Sequence, residues 1–500
     1  MKILLLIAAL LCNVFVYFVS LEKTYIEEII IITVVLFSFY HFLSSIYCSK
    51  YVLLKSVVFG GCFVLSLNQI FGLGAFLIYD SRFTYGHALS LLNSNVNEVQ
   101  SMLSTMTVLI AIFVFLLFFH FYVVKFYPIK LKNKLASISI SLLWILVPIC
   151  SVTFYHSKTA VERMSSLLFS SSPFYTIRVV IQAFDQYNEF HIIKNHAVDY
   201  SHLTIGNNPI KTIVLVIGES ARRCNMSLYG YTRDTTPFQK QEYNNLKLYT
   251  DMVSSAGITL FSVPMLLSTV RPEKFQEHKE QLGDNIIGLA KYLGYTTYWL
   301  STQEKGNRYV STVSNMARLA DSTLWYTGYD EVLIDKVKKI QQNRTQKKVI
   351  ILHNNGSHSN ACDKYPETEA FFVGDNSVLD CYDNSVRYTD KLLGRLFRLL
   401  DEEDAALIYL SDHAEKFVES RFIHSDSKEG TEIPYYVWYS PMCPEEMRDI
   451  GIHRERASLT TNYYEMAYLM GITNIRCEKE HKIKFLKSDL SVVDYDTLMP

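Results

Sequence analysis

The chain has 500 residues, long enough for about two to four domains, and its 48 basic and 49 acidic side chains nearly cancel. A formal net charge of −1 excludes the basic face by which a protein binds nucleic acid, so charge points to no partner. Hydrophobic residues make up 49% and charged residues 19%, an imbalance carried by the first 155 residues; the remainder reads as an ordinary soluble domain.

Five segments, near 3–20, 28–48, 54–79, 103–124 and 134–155, are apolar for about the 20 residues that a helix needs to cross a bilayer. The first has no small-residue cleavage site and is followed at once by another span, so it reads as a retained helix. The third carries Gly60, Gly61, Gly72 and Gly74, which predicts a bend or an interfacial end. Lys50 and Lys55 fall between spans two and three, and Lys125, Lys130, Lys132 and Lys134 between spans four and five. The other two loops carry only Lys23 and Arg82, against Glu22, Glu27, Glu28, Asp80 and Glu98. Basic residues mark cytoplasmic loops, so the N-terminus is expected inside and everything after residue 155 outside.

Residues 156–210 read as an amphipathic connection: 164–169 and 174–183 mix aliphatics with Arg178 and Gln182, and Asp185 comes next. Such helices lie on a membrane surface or pack on a soluble domain. The soluble part holds Cys362, Cys381, Cys443 and Cys477, without the C-x-x-C spacing of a zinc site. In an oxidising compartment Cys362–Cys381 is the expected local disulfide and Cys443–Cys477 a second pairing, the alternative being free buried thiols.

From residue 211 the pattern becomes α/β. The runs 212–217, 296–300, 349–352 and 406–410 are aliphatic and β-branched without polar alternation, as buried parallel strands are. Helical stretches, among them 285–292 and 382–400, separate them, which predicts a mostly parallel sheet covered on both faces. Ligands bind such sheets beyond the carboxyl ends of the strands. Three of these ends deliver Gly218-Glu219-Ser220, the stretch His353 to His358, and Ser411-Asp412-His413. Glu219, His358, Asp412 and His413 thus share one edge, and carboxylates with imidazoles suit Zn²⁺. Such a metal keeps a position for a nucleophile. The stretch from Ser254 to Pro264 offers Ser254, Ser255, Thr259 and Ser262 beside a predicted helix start, where backbone N–H groups favour a phosphate. Composition does not choose among the four hydroxyls.

The run Val216-Ile217-Gly218-Glu219-Ser220-Ala221-Arg222-Arg223, continued by Ser227-Leu228-Tyr229-Gly230-Tyr231 and Thr235-Thr236-Pro237, resembles the signature of bacterial phosphoethanolamine transferases. The likeness covers nearly the whole chain. It implies a five-helix membrane domain (1–155), a linker (156–210), and a periplasmic catalytic domain (211–500) of the alkaline phosphatase and sulfatase superfamily. Position by position, it implies zinc held by Glu219, Asp412 and His413, one ion with room for a second. Thr259, placed by Ser262-Val263-Pro264, becomes the nucleophile and fourth zinc ligand. His358 and His424 match histidines around the phosphorylated nucleophile, Glu98 an acidic loop residue facing the catalytic domain, and Lys305 a lysine near the donor headgroup.

The likeness further implies an inner-membrane monomer that takes phosphoethanolamine from phosphatidylethanolamine, forms phosphoethanolamine-Thr259 and releases diacylglycerol. The acceptor would be lipid A, core heptose, O-antigen sugar or a periplasmic glucan; a cationic cap there would weaken binding of cationic peptides. Relatives carrying Cys-Gly-Thr before the nucleophile and Cys after Ser-Val-Pro differ from this chain, which has Ser255-Ala256-Gly257 and Met265 and cannot form that disulfide. The departures lean toward the branch acting on core sugars or other glycans. Among rivals, a sulfatase or phosphodiesterase lacks its Cys/Ser-x-Pro-x-Arg motif here, and a glycerol-phosphate transferase is disfavoured by the Tyr-Gly-Tyr and Thr-Thr-Pro stretch. A non-enzymatic membrane sensor would need no aligned ligand set.

Overall fold

The structure, a computed structural model, describes all residues except 1, 20–25, 49–50, 80–82, 94–102, 128–130, 155–174, 186–197, 207, 277–278, 304–311, 344–345, 359, 375–376 and 478–481. The chain divides into two compact units, Met1–Ala88 with Val96–Phe184, and Leu89–Asn95 with Asp185–Pro500.

The first unit is helical, built on α1 (Lys2–Val19), α2 (Ile26–Tyr47), α3 (Val52–Tyr79), α4 (Tyr85–Asn93, which belongs to the second unit from Leu89), α5 (Leu103–Lys125), α6 (Lys134–Phe154) and α7 (Tyr175–Asp185, all but its last residue). Among the described residues, two stretches are long and apolar enough to cross a membrane, Leu53–Leu77 in α3 and Thr107–Lys125 in α5. The described apolar stretches of α1, α2 and α6 are shorter (Lys2–Leu11, Ile32–Tyr47 and Lys134–Trp144), so two of the five expected spans meet the criterion. α3 runs as one helix through its glycines. A Cβ on Gly61 would stand 2.6 Å from Leu43 Cδ2, so this glycine serves close approach to α2. Inside the unit, Tyr40 Oη lies 2.7 Å from His120 Nδ1, and His120 Nε2 lies 3.0 Å from Gln69 Oε1. This buried chain fixes the register of α2, α5 and α3. Of the expected linker, α7 is the described helix. It is tied to the first unit, Thr176 Oγ1 donating to Asn68 Oδ1 (2.6 Å) and Tyr175 Oη to the Phe83 carbonyl (2.9 Å).

The second unit is built on β1 (Thr212–Gly218), β2 (Leu246–Val253), β3 (Thr296–Ser301), β4 (Ser322–Trp325), β5 (Lys348–His353), β6 (Ala405–Ser411), the hairpin β7 (Lys416–Val418) and β8 (Arg421–Ile423), β9 (Glu432–Tyr439), β10 (Gly451–His453), β11 (Ala457–Ser458), and the hairpin β12 (Lys484–Leu486) and β13 (Val492–Asp494). Its helices are α8 (Pro237–Gln241), α9 (Thr259–Leu266), α10 (Ile286–Tyr292), α11 (Thr312–Ala317), α12 (Glu331–Ile340), α13 (Ser377–Leu400) and α14 (Thr461–Leu469). Nine strands form one sheet in the order β10-β2-β9-β6-β1-β5-β3-β4, with β11 on β2. Every pairing is parallel except those of β9 with β2 and β6. The sheet is therefore mixed and mostly parallel.

Burial on both faces explains the unbroken apolar runs. Ile213, Leu215 and Ile217 of β1 pack with Ile287 and Leu289 of α10 and Met466 of α14. Val214 and Val216 pack on the other face with Val337 of α12 and Leu392 and Leu396 of α13. Each such side chain contributes roughly 1.5–3 kcal/mol on burial, enough to fix which strands lie centrally. β9 was not legible as a strand because its sequence contains Pro434. That proline sits where the β2 pairing slips between Tyr249 and Met252, a bulge where its missing N–H costs no ladder bond.

Helix starts depend on side-chain capping. Asn285 Oδ1 accepts from the N–H groups of Ile287 (3.1 Å) and Gly288 (3.0 Å) at the start of α10. The Pro-led α8 is capped from outside, Asp390 of α13 accepting from the N–H groups of Phe238 and Gln239, both at 2.9 Å. Cys362 and Cys381 form the expected disulfide. Cys443 and Cys477 are not disulfide-bonded, the first packed in the core and the second with its Sγ 3.7 Å from Thr461 Oγ1, so the second expected pairing is not made.

Candidate active site

Four strand ends and one helix start build the site. β1 ends at Gly218, where a Cβ would press to 3.1 Å from the Leu410 carbonyl, and delivers Glu219. Ser220 then adopts φ +59°, a left-handed conformation unusual for serine. Its backbone is gripped by Tyr382 of α13, which donates from Oη to the Ser220 carbonyl (2.7 Å) and accepts from Arg222 N–H (2.8 Å). Ser220 Oγ donates to Glu219 Oε1 at 3.0 Å. Backbone strain held in place at such a point is characteristic of functional sites.

β6 delivers Asp412 and His413. Asp412 Oδ1 accepts from the His413 N–H (2.8 Å), and the Asp412 carbonyl accepts from Ser254 Oγ (2.5 Å). His413 Nδ1 lies 3.0 Å from the Ala414 carbonyl and donates to it. That contact uses the Nδ1–H and leaves Nε2 facing the cluster. Nε2 stands 3.0 Å from Glu219 Oε1 and 3.5 Å from Asp412 Oδ2.

Thr259 opens α9. The backbone before it is held close, since a Cβ on Gly257 would lie 2.8 Å from the Ser425 carbonyl. Its Oγ1 stands 3.2 and 3.1 Å from the two Glu219 oxygens and 3.2 Å from His413 Nε2. Among the four hydroxyls open on sequence grounds, Ser254 is spent on backbone carbonyls, while Ser255 and Ser262 are buried without a hydrogen bond. Thr259 is the one that faces the cluster.

Glu219, Asp412 and His413 are buried and offer ligand atoms within 4.8 Å of one another. Burial resists charging Glu219, but His413 beside it prevails and holds the carboxyl well below the usual range. Burial and the Glu219 charge push Asp412 up to about 7. Burial would lower His413, yet Asp412 and Glu219 together raise it to about 10. Asp412 Oδ2 is buried and accepts no hydrogen bond among the described residues. Two carboxylates, one of them with an orphaned oxygen, and one imidazole nitrogen are the donor chemistry of a divalent cation such as zinc, so the residues fit one.

His358 and His424 stand beside this cluster. The His424 ring is 4.6 Å from His413 and 5.5 Å from His358, centroid to centroid. Burial, then the His413 charge, keeps His424 neutral, well below the ordinary imidazole value. Glu98 and Lys305 lie outside the described residues. Two neighbours were missed from sequence. Glu415, two residues after His413, is fully buried with Oε1 3.8 Å from His424 Nε2, and burial pushes it up to about 8. Gln303 stands just past β3 and places Nε2 2.6 Å from Glu219 Oε2. A neutral amide past a strand end carries no ligand signature, so it is the contact with Glu219 that marks Gln303.

The sulfatase family profile matches residues 211–472. The putative transferase YhbX of Escherichia coli K12 is 32% identical over 432 residues, covering 83% of this chain and 79% of its own. Other curated relatives, at 30% identity or less, are named phosphoethanolamine transferases. The integral membrane lipooligosaccharide phosphoethanolamine transferase A of Neisseria meningitidis superposes over 100% of this chain and 98% of its own, with a TM-score of 0.67 at 18% identity. The C-terminal periplasmic domain of Escherichia coli EptC, solved in complex with Zn, superposes over 59% of this chain and 96% of its own, with a TM-score of 0.52 at 22% identity. At these identities the two structures establish a shared fold. A sulfatase domain carrying this strand-end cluster, on a chain with these relatives, places the protein in the phosphoethanolamine transferase family.

Proposed function

We propose that the protein transfers phosphoethanolamine from phosphatidylethanolamine to an envelope glycan through a phosphorylated Thr259. The observation that carries this reading is the Thr259 hydroxyl, within 3.2 Å of both Glu219 and His413 in a buried donor set. Glu219, Asp412 and His413 would hold zinc, which supplies the positive charge that makes a nearby hydroxyl nucleophilic. The EptC domain solved with Zn supports that choice of metal.

In the first step Thr259 Oγ1 attacks the headgroup phosphorus, the bond from phosphorus to the glycerol oxygen breaks, and diacylglycerol leaves with a proton. In the second, an acceptor oxygen attacks the same phosphorus and the Thr259 Oγ1–P bond breaks. His424, kept neutral by burial, is positioned to take or give the proton in either step, with His358 beside it. Thr259 opens an eight-residue helix whose first N–H groups favour the phosphate oxygens.

The lysine distribution supports a cytoplasmic N-terminus and a periplasmic catalytic domain, and a lipid donor gives the helical unit its purpose. The acceptors for which relatives are named, lipid A and lipooligosaccharide, support a lipopolysaccharide-type acceptor. The test incubates the full chain, in vesicles, with phosphatidylethanolamine labelled in the headgroup. Label is expected to reach an added envelope glycan in the presence of zinc and to stop on chelation. Transfer from phosphatidylglycerol instead would make the protein a glycerol-phosphate transferase. Mass spectrometry of envelope glycans with and without the gene product identifies the acceptor.

A further inference from the structure

Gln303 stands at the end of β3 with its side-chain amide between two oxygens. Nε2 lies 2.6 Å from Glu219 Oε2 and 2.9 Å from the Asn354 carbonyl, so both of its N–H donors are used. The amide has one orientation open to it. Turned over, it would set a carbonyl oxygen against a carboxylate and a second carbonyl with no proton between them.

Both ends of this clamp are held. On the Gln303 side, Thr302 N–H donates to the His353 carbonyl at 3.1 Å, and Thr302 Oγ1 donates to Asp330. On the other side, Asn354 N–H donates to the Ile217 carbonyl at 3.0 Å. The next two N–H groups, of Asn355 and Gly356, are taken by the two oxygens of buried Asp330 at 2.9 and 3.1 Å. Ser357 N–H then donates to the Glu219 carbonyl at 2.9 Å. The turns after β1, β3 and β5 are therefore one hydrogen-bonded body, and Gln303 is its contact with the Glu219 carboxylate.

We propose that Gln303 is a positioning residue for the metal: its amide pins Glu219 Oε2, so that Oε1 is the oxygen offered to the cation beside His413. The inference rests on the metal reading above and goes beyond it by assigning a residue that binds neither ion nor substrate. Oε1, the oxygen Gln303 does not hold, accepts from Ser220 Oγ at 3.0 Å, stands 3.2 Å from Thr259 Oγ1 and is the one 3.0 Å from His413 Nε2. Fixing one oxygen of a ligating carboxylate from outside restricts its rotation and makes single-oxygen ligation the low-energy geometry.

The test uses the full chain in detergent, with Gln303→Ala, Gln303→Met and, as reference, Glu219→Ala. Gln303→Met keeps the length and apolar stem without a donor. Zinc affinity is read by competition with a chromophoric chelator, and transfer kinetics are read at saturating zinc. Both Gln303 variants are expected to lose about 10- to 100-fold in zinc affinity. The KM for the lipid donor is expected to stay within about twofold, and kcat to recover as zinc saturates. Zinc affinity equal to wild type in both variants overturns the proposal. So does a raised KM with unchanged zinc affinity, which would make Gln303 a substrate contact. Should Gln303→Ala unfold once stripped of zinc, the Gln303→Met readings decide. If Glu219→Ala itself keeps its zinc, the metal reading fails and this proposal with it. If Glu219→Ala loses zinc while the Gln303 variants do not, the positioning role alone fails.

Discussion

Gly356 packs its Cα directly against the backbone of Glu219: a Cβ there would stand 2.7 Å from both the N and the O of Glu219. The glycine also sits at φ +53°. Two independent reasons thus exclude a side chain, close approach and left-handed backbone. Gly356→Ala is expected to cost about 2–4 kcal/mol and to displace Glu219. Thermal unfolding and transfer assays on the full chain check this together: unfolding temperature and activity should fall. Wild-type activity would show that the β5 turn does not set the position of Glu219.

The disulfide Cys362–Cys381 joins the segment after His358 to the start of α13 across 19 residues. Closing a loop of that length stabilises by about 3 kcal/mol through the unfolded chain. The double variant Cys362→Ser/Cys381→Ser, or wild type under reductant, is expected to unfold correspondingly earlier. Cys443 and Cys477 are not disulfide-bonded, so changing them to Ser should not alter the response to reductant. Thiol counting on unfolded, unreduced protein checks the assignment.

Asp390 gives a pH signature away from the site. Burial, opposed by the Phe238 and Gln239 N–H groups, raises its carboxyl to about 7 from 3.8. The folded state therefore keeps a proton that the unfolded chain releases between these values. This contribution is complete below pH 3.8 and is lost as pH rises to about 7. Asp390→Asn removes the titration, so wild-type stability relative to the variant should fall across that window. The slope is at most about 1.4 kcal/mol per pH unit. Denaturation at a series of pH values measures it; a constant difference would contradict the raised carboxyl.

The site was legible where chemistry comes directly after a strand that is buried on both faces. Thr212–Gly218 and Ala405–Ser411 could be read because burial on both faces leaves no charged residue in either run, and the residues immediately beyond them, Glu219, Asp412 and His413, form the site. β9 was hidden by Pro434, whose place at a bulge depends on the slipped register with β2. Composition did not choose Thr259 among four hydroxyls, and the resemblance through Ser262-Val263-Pro264 did, because which hydroxyl faces the cluster depends on how the turn at Gly257 packs against Ser425. Gln303 was hidden for a different reason: a neutral amide after a strand carries no charge or ligand signature, and its role appears only with Glu219 beside it. Lengths of apolar sequence located the helices, yet two of the five stretches alone pass as spans among the described residues.

The central claim is that Thr259 carries the phosphoethanolamine between donor and acceptor. The full chain, incubated with phosphatidylethanolamine and no acceptor and then digested, should yield the peptide containing Thr259 with one phosphoethanolamine attached. Thr259→Ala should yield no adduct while its zinc-binding residues remain in place. An adduct on another residue, or the same adduct level in Thr259→Ala, would contradict the account.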